Sequence, residues 1–373
     1  MNNKIWTSIN TYGEGGWKRL IHHTNQWWAG QLDRPLIAAR IQLPYDTCPS
    51  TGLPYHGILA QYPCEVPMGQ ILETWDWHLQ HQRFLGDAYP AIWADFGASF
   101  ISALAGGELT PAPAEGTTWI HRLPGKTISQ LHYRVDAHNP WHQRYETFCK
   151  AASEYWQGKV QIGYCTGGLL DSVSMLIGAE ELLFALADEP DEIKRVNAEV
   201  EAMSWHYYHL AQGYLSRYNP GYSCWAHIFS EKPYQILVCD VCGSFGPAMF
   251  KTFAQPSLES FCQDTSNTFY HLDGPGALRH LDSLLSLKEL KGIQWVPGAG
   301  ETRPWDEWAH VIRRIRDAGK LVQLSSCCEV PQIEEIDRLM QKLGTGKGIT
   351  INLYGQESDA PKMEEFLQRY RVI

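Results

Sequence analysis

The run of residues 270–282, YHLDGPGALRHLD, holds the densest group of side chains able to do chemistry in this chain. His271 and Asp273 stand two apart, so on a strand both leave the same face. An imidazole and a carboxylate so placed can hold a metal ion, or act as a general acid with its orienting carboxylate. The plainer alternative is structural, with Asp273 capping a helix that starts near Pro275 and His271 a satisfied polar group. Asp240 closes the otherwise apolar run QILVCD, an odd place for a charge unless it serves a site. Glu301 follows GIQWV across a Pro–Gly–Ala–Gly turn and supplies a further carboxylate, as cleavage of a glycosidic bond would require. Arg40 lies within the apolar run LIAARIQL, where a guanidinium needs either an acidic partner or an anionic substrate group. Cys327 and Cys328 are adjacent thiols, and Cys327 is a candidate third metal ligand beside His271 and Asp273. Cys239 and Cys242 have no second CxxC pair, so a structural zinc is not expected there. His227, His78 and His81 are read as packing or surface residues.

Short apolar runs alternating with helical patterns must position these groups. Strands are expected at 36–43, 91–96, 161–165, 235–240, 268–272, 293–296, 321–324 and 349–353, each followed by a helix. An N-terminal helix is expected over 15–32 and another over 67–84. The segments TTWIHRL and SQLHYRV are expected to pair as a hairpin within an insertion near 109–135, and a second insertion falls near 219–234. Near-continuous apolar strands separated by helices indicate a buried parallel sheet. Eight such units predict an α/β fold, a (β/α)8 TIM barrel forming a single domain over 1–373, with the barrel proper from about 36. A doubly wound open sheet is the runner-up, but no Gly-rich phosphate loop follows the first strand.

In such a barrel chemistry sits at the C-terminal ends of the strands. Those ends supply Arg40 and Gln42, Asp95, Cys165 and Thr166, Asp240, His271 and Asp273, Gln294 and Trp295, Ser325, Cys327 and Cys328, then Asn352 and Tyr354. Arg40, Asp95, Trp295 and Tyr354 are the candidate substrate-binding residues. Asp240, His271, Asp273 and Glu301 are the candidate catalytic ones.

The 373 residues carry a net charge of −10, which disfavours nucleic acid or an anionic membrane surface as a partner. No apolar run approaches the 18 residues or so of a membrane span, and no secretory signal is visible. Ten scattered Cys fit a reduced, cytoplasmic protein. Fifteen Trp is a high count, and the rings in polar company, Trp27, Trp28, Trp75, Trp77, Trp225, Trp305 and Trp308, could wall a cleft for a flat or sugar-like ligand. In a sugar-acting enzyme Trp93, Trp225, Trp295 or Trp305 would face it.

Several motifs together resemble the uroporphyrinogen decarboxylase superfamily, which includes zinc-dependent methyltransferases acting on methylated corrinoid proteins. PLIAAR, ending at Arg40, looks like the decarboxylase first-strand P-x-x-x-x-R. GYCTGGLLDSVSMLIG is similar to the third strand and helix of both branches. VCDVCGSFGPAMF looks like the fourth-strand Asp followed by S-P-x-x-F, and HLDG stands where the methyltransferases carry H-x-C-G. The chain departs from both branches. Ser174 replaces a decarboxylase Tyr, and Asn352 to Gln356 lacks the last-strand His. Asp273 replaces the first zinc-binding Cys of the methyltransferases, and the last-strand Cys is missing.

The resemblance implies a methyltransferase of the corrinoid-dependent one-carbon type, with zinc or another divalent metal on His271 and Asp273. Corrinoid would come only through a partner protein, the substrate would be a small molecule, and a homodimer is expected. The alternatives are a carbohydrate-active hydrolase or lyase, a tetrapyrrole-type decarboxylase, and a non-catalytic binding protein that kept the barrel.

Overall fold

The computed structural model of the protein describes residues 5–98, 100–164, 168–324 and 333–373. Its strands are β1 (Leu36–Gln42), β2 (Gln82–Gly86), β3 (Ala91–Trp93), β4 (Glu108–Ala112), β5 (Thr117–His121), β6 (Gln161–Gly163), β7 (Tyr234–Val238), β8 (Asn267–Asp273), β9 (Gly292–Val296), β10 (Leu321–Leu324) and β11 (Ile349–Gln356). All eight expected strands form, and helices lie between them. Among the described residues the main sheet has seven strands in the order β2-β1-β11-β10-β9-β8-β7. The pairs from β1 through β11 to β7 are parallel, and their nearly unbroken burial matches apolar strands covered on both faces.

The expected closed barrel is not what the hydrogen bonding shows. β3 and β6 pair only with each other, as a separate parallel pair of three residues each. Two intervening segments account for the gaps. β2 lies antiparallel on the free edge of β1, with Ala38 opposite Gly86, and occupies the place where the next barrel strand would pair. On the other side residues 222–230 run beside β6, since the Tyr164 N–H donates to the Ser223 carbonyl and Tyr222 bridges Ser230. One parallel bridge, Gly168 with Val238, still links that side to β7. The architecture is therefore α/β with a central, mostly parallel sheet in barrel-like order.

Two local expectations change as well. The helix expected over 67–84 ends at Gln80, and its last residues instead form β2. Gly86 ends that strand at φ 67, where an added Cβ would lie 2.6 Å from the Ile37 carbonyl oxygen, so only glycine fits. The hairpin near 109–135 does form, but TTWIHRL pairs with Glu108–Ala112 rather than with SQLHYRV. Gly116 at φ 65 makes the tight turn between the two partners.

The N-terminal helix, Ile9–Trp28, breaks at Gly13 and delivers Trp27 to the core, stacked on Phe269 of β8 at 5.8 Å. Trp75, Trp156, Trp295 and Trp308 are also fully buried. Many of the Trp residues are thus core, worth roughly 1.5–3 kcal/mol or more each by area removed from water.

Candidate metal centre and adjoining cavity

β7 and β8 are neighbouring parallel strands, so the residues at their ends meet. Asp240 follows β7, and His271 and Asp273 end β8. Their ligand atoms all lie within 4.8 Å of one another. His271 Nε2 is 3.7 Å from Asp240 Oδ1 and 3.9 Å from Asp273 Oδ2. Burial alone would push the imidazole pKa down. The nearby Asp273 and Asp240 carboxylates overcome this and raise it. The two carboxylates thus favour positive charge at Nε2, whether a proton or a metal ion supplies it.

The other ring nitrogen is fixed by a polar ladder across the sheet. His271 on β8 stands opposite Gln294 on β9, which stands opposite Gln323 on β10. His271 Nδ1 is hydrogen-bonded to Gln294 Oε1. The Gln294 amide donates to Gln323 Oε1 at 2.8 Å, and the Gln323 amide donates to the Ala226 carbonyl at 2.7 Å. A backbone carbonyl only accepts, so Gln323 must turn its NH2 to Ala226 and its oxygen to Gln294. Gln294 then presents its own oxygen to His271. Nδ1 therefore carries the proton, and Nε2 is left to face the carboxylates.

Asp240 is held by Asp171, which sits in the first turn of the helix Leu169–Ile177. Its buried carboxylate accepts the Asp240 and Val241 N–H groups, both at 2.8 Å. Burial and the neighbouring Asp240 charge push the Asp171 pKa up to about 7. Asp240 itself is raised by desolvation, with Asp273 adding to this and His271 opposing it. A site with three acids and one imidazole has a deficit of positive charge that a divalent cation would meet.

A cavity of about 360 Å³, lined by none of the cluster residues, includes Arg40, Asp95, His227, Tyr354, Tyr55 and Trp93 in its wall. Arg40 is 6% exposed. Its Nη1 donates to the Tyr354 hydroxyl at 3.0 Å, across the β1–β11 register where the two residues are partners. Its Nε and Nη2 have no hydrogen-bond partner among the described residues, and no carboxylate pairs with it there. A buried guanidinium with no carboxylate partner among the described residues calls for a compensating anion. Asp95 accepts the Gly97 N–H at 2.6 Å, and burial lifts its pKa to about 7, so it is largely a neutral acid below that pH. His227 is kept neutral by burial and by the Arg40 charge. His78, also lining the cavity, stacks on Tyr55 at 3.6 Å and is depressed to about 4 by burial and by His81.

Among the expected site residues, Asp240, His271 and Asp273 come together, and Arg40, Asp95 and Tyr354 share the cavity. Glu301 joins neither group. Arg303 binds it through two side-chain contacts and holds its carboxyl at about 2, so it is an ion-paired carboxylate rather than an acid. Trp295 is a correction: it is 0% exposed and packs edge-on against Trp308 at 5.0 Å, out of reach of a substrate. Its place in β9 turns it to the face opposite Gln294. Trp305 is buried as well. Cys327, with Cys165, Thr166, Ser325 and Cys328, lies outside the described residues. Cys239 and Cys242 are buried thiols, the latter 3.5 Å from the Tyr270 hydroxyl.

His78 packs as expected, stacked on Tyr55 and hydrogen-bonded to the Tyr45 hydroxyl, and both it and His227 also line the cavity. Residue pattern alone does not single out Gln323 and Asp171. A lone Gln in LVQL and a lone Asp in GGLLDSV were the available signals, because buried polar groups need partners.

No family model matches the chain, and no curated protein matches it. Among solved structures it is similar to a methyltransferase from Methanosarcina mazei, with a TM-score of 0.58 and 12% identity, covering 90% of this chain and 93% of the other. At that identity the likeness establishes a shared fold. Among the described residues no helix is long and apolar enough to cross a membrane.

Proposed function

We propose that the chain is a methyltransferase-like enzyme of the one-carbon type, with a divalent metal on Asp240, His271 and Asp273 and an anionic substrate group on Arg40. The observation that carries this reading is the cluster itself, with three ligand atoms within 4.8 Å and the histidine fixed to offer Nε2. The shared fold with a methyltransferase supports it at the level of class.

The donor set fits a divalent cation, but one imidazole with two carboxylates is harder than the thiolate-bearing set the resemblance implies. Zinc remains compatible with it, and manganese or another oxygen-preferring ion suits it equally. When bound, such an ion would act as a Lewis acid on the methyl donor or acceptor. The chain's own residues then orient the reactants. Arg40 and the Tyr354 hydroxyl hold an anionic group, while Asp95 supplies a neutral O–H below pH 7. Corrinoid, where it takes part, would be presented by a partner protein.

A glycosidase is less well served. Glu301, the further carboxylate that this chemistry would call on, is engaged by Arg303.

The test is metal analysis after equilibration with Zn2+ or Mn2+, wild type against His271→Ala, together with methyl transfer from methylcobalamin to a thiol followed by the corrinoid spectrum. One bound ion and turnover in the wild type, both lost in His271→Ala, are expected. Equal metal content in the two proteins, or none in either, would remove the metal centre.

A further inference from the structure

Three consecutive residues touch both halves of the site. Trp225 packs edge-on against the His271 ring at 5.3 Å and 78°. Ala226 supplies the carbonyl that ends the Gln323–Gln294–His271 relay, and Asn352 Nδ2 also donates to it at 3.4 Å. His227 lines the cavity, 6.3 Å from the Tyr354 ring, and its Nδ1 has no partner among the described residues.

His227 also carries a backbone φ of 53, a left-handed conformation that a residue with a Cβ adopts at a cost. Its surroundings hold it there. The His227 N–H donates to the Cys224 carbonyl at 2.9 Å, and the side chains of Gln323 and Asn352 grip the preceding carbonyl. Glycine would sit at this position without strain. The imidazole is therefore retained against a local penalty, half-buried in the cavity lining.

We propose that residues 225–227 join the cavity and the metal cluster into one bipartite site, with the half-buried His227 imidazole contacting a polar group on the ligand whose anion Arg40 holds. The ligand class follows from the lining. Arg40 offers its guanidinium to a carboxylate, His227 reads a hydroxyl or similar group on the same molecule, and the rings of Tyr55 and Trp93 favour a flat body. A cavity of 360 Å³ suits a small planar hydroxy-carboxylate. Contact at His227 bears on Ala226, hence on the relay that seats His271, so ligand and metal must affect each other's affinity equally. This inference rests on the metal-and-anion reading above.

The test uses the whole chain, with 3-hydroxybenzoate and benzoate as probes, since neither chelates a metal ion strongly in solution. Titration calorimetry on metal-free protein is expected to show 3-hydroxybenzoate binding about tenfold more tightly than benzoate, as one hydrogen bond allows. His227→Gly, which relieves the backbone strain, abolishes that preference. His227→Asn, which tolerates the same backbone and keeps a polar group, retains part of it. Saturating 3-hydroxybenzoate is expected to shift the Mn2+ affinity of the wild type by about fivefold or more, with no shift in His227→Gly. Equal preference in wild type and His227→Gly, an Mn2+ affinity indifferent to the carboxylate, or binding of neither probe to the wild type would each overturn the proposal. A wild type that binds the carboxylates but takes up no Mn2+ would instead overturn the metal reading, and the bipartite site with it.

Discussion

His271 and Gln294 are register partners on adjacent parallel strands, and the hydrogen bond between them decides which imidazole nitrogen is free. The same register places Gln323 one strand further on, so the tautomer is set by three strands and ended by a loop carbonyl. Such a ladder is rigid because each member sits in a paired strand and each is buried.

Gln294→Leu keeps the volume of the side chain and removes the acceptor for His271 Nδ1–H. Affinity for Mn2+ or Zn2+ should fall about 10–100-fold, as expected for loss of a partner that orients a metal ligand. Gln323 Oε1 would lose its donor inside the sheet, lowering stability by about 1–3 kcal/mol. Calorimetric titration and urea denaturation measure the two effects separately. Wild-type metal affinity in Gln294→Leu would mean that the ladder is structural only.

Asp95→Asn provides a pH test. The native carboxyl is raised to about 7, whereas an unfolded Asp titrates near 3.9. The native state therefore binds the proton more tightly than the unfolded state. The stability it confers is full below about pH 4 and is lost as pH rises through about 7. Asn can still accept the Gly97 N–H but does not titrate. The urea midpoint of the wild type should fall relative to Asp95→Asn between pH 5 and pH 8. Parallel pH profiles would show that Asp95 is not perturbed.

Eight strands were legible because apolar runs alternating with helical periodicity survive in almost any context. The break in the barrel was not, because it depends on β2, whose residues continue a helical pattern until the edge of β1 captures them. His271 and Asp273 were legible from their spacing on one strand, and Asp240 from its charge at the end of another. His227 was hidden in an irregular loop, where periodicity says nothing about which way a side chain points. Trp295 was misread for a related reason. A ring next to polar Gln294 looks cleft-lining in a string of letters, yet strand alternation sends neighbours to opposite faces.

Trp295→Ala should accordingly behave as a core mutation. Loss of a fully buried indole packed on Trp308 is expected to lower stability by about 3–5 kcal/mol. Trp295→Phe should be milder and leave benzoate affinity within about twofold, a change too small to signal a lost contact. A tenfold loss of benzoate binding in a folded Trp295→Phe would return this ring to the ligand site.

Asp240→Asn distinguishes a cluster built for a cation from one that is merely polar. Without a metal, Asp240 repels both Asp171 and Asp273, and His271 offsets part of this. Removing the Asp240 charge should therefore raise the denaturation midpoint of the metal-free protein. It should at the same time weaken metal binding, because a neutral amide is a poorer ligand for a divalent ion. At a concentration one hundred times its dissociation constant, the metal should stabilise the wild type by about 2.7 kcal/mol. At that same concentration Asp240→Asn should gain less than half as much. Denaturation of both proteins with and without Mn2+ gives all four numbers. A lower metal-free midpoint together with an undiminished metal effect would place the cation elsewhere.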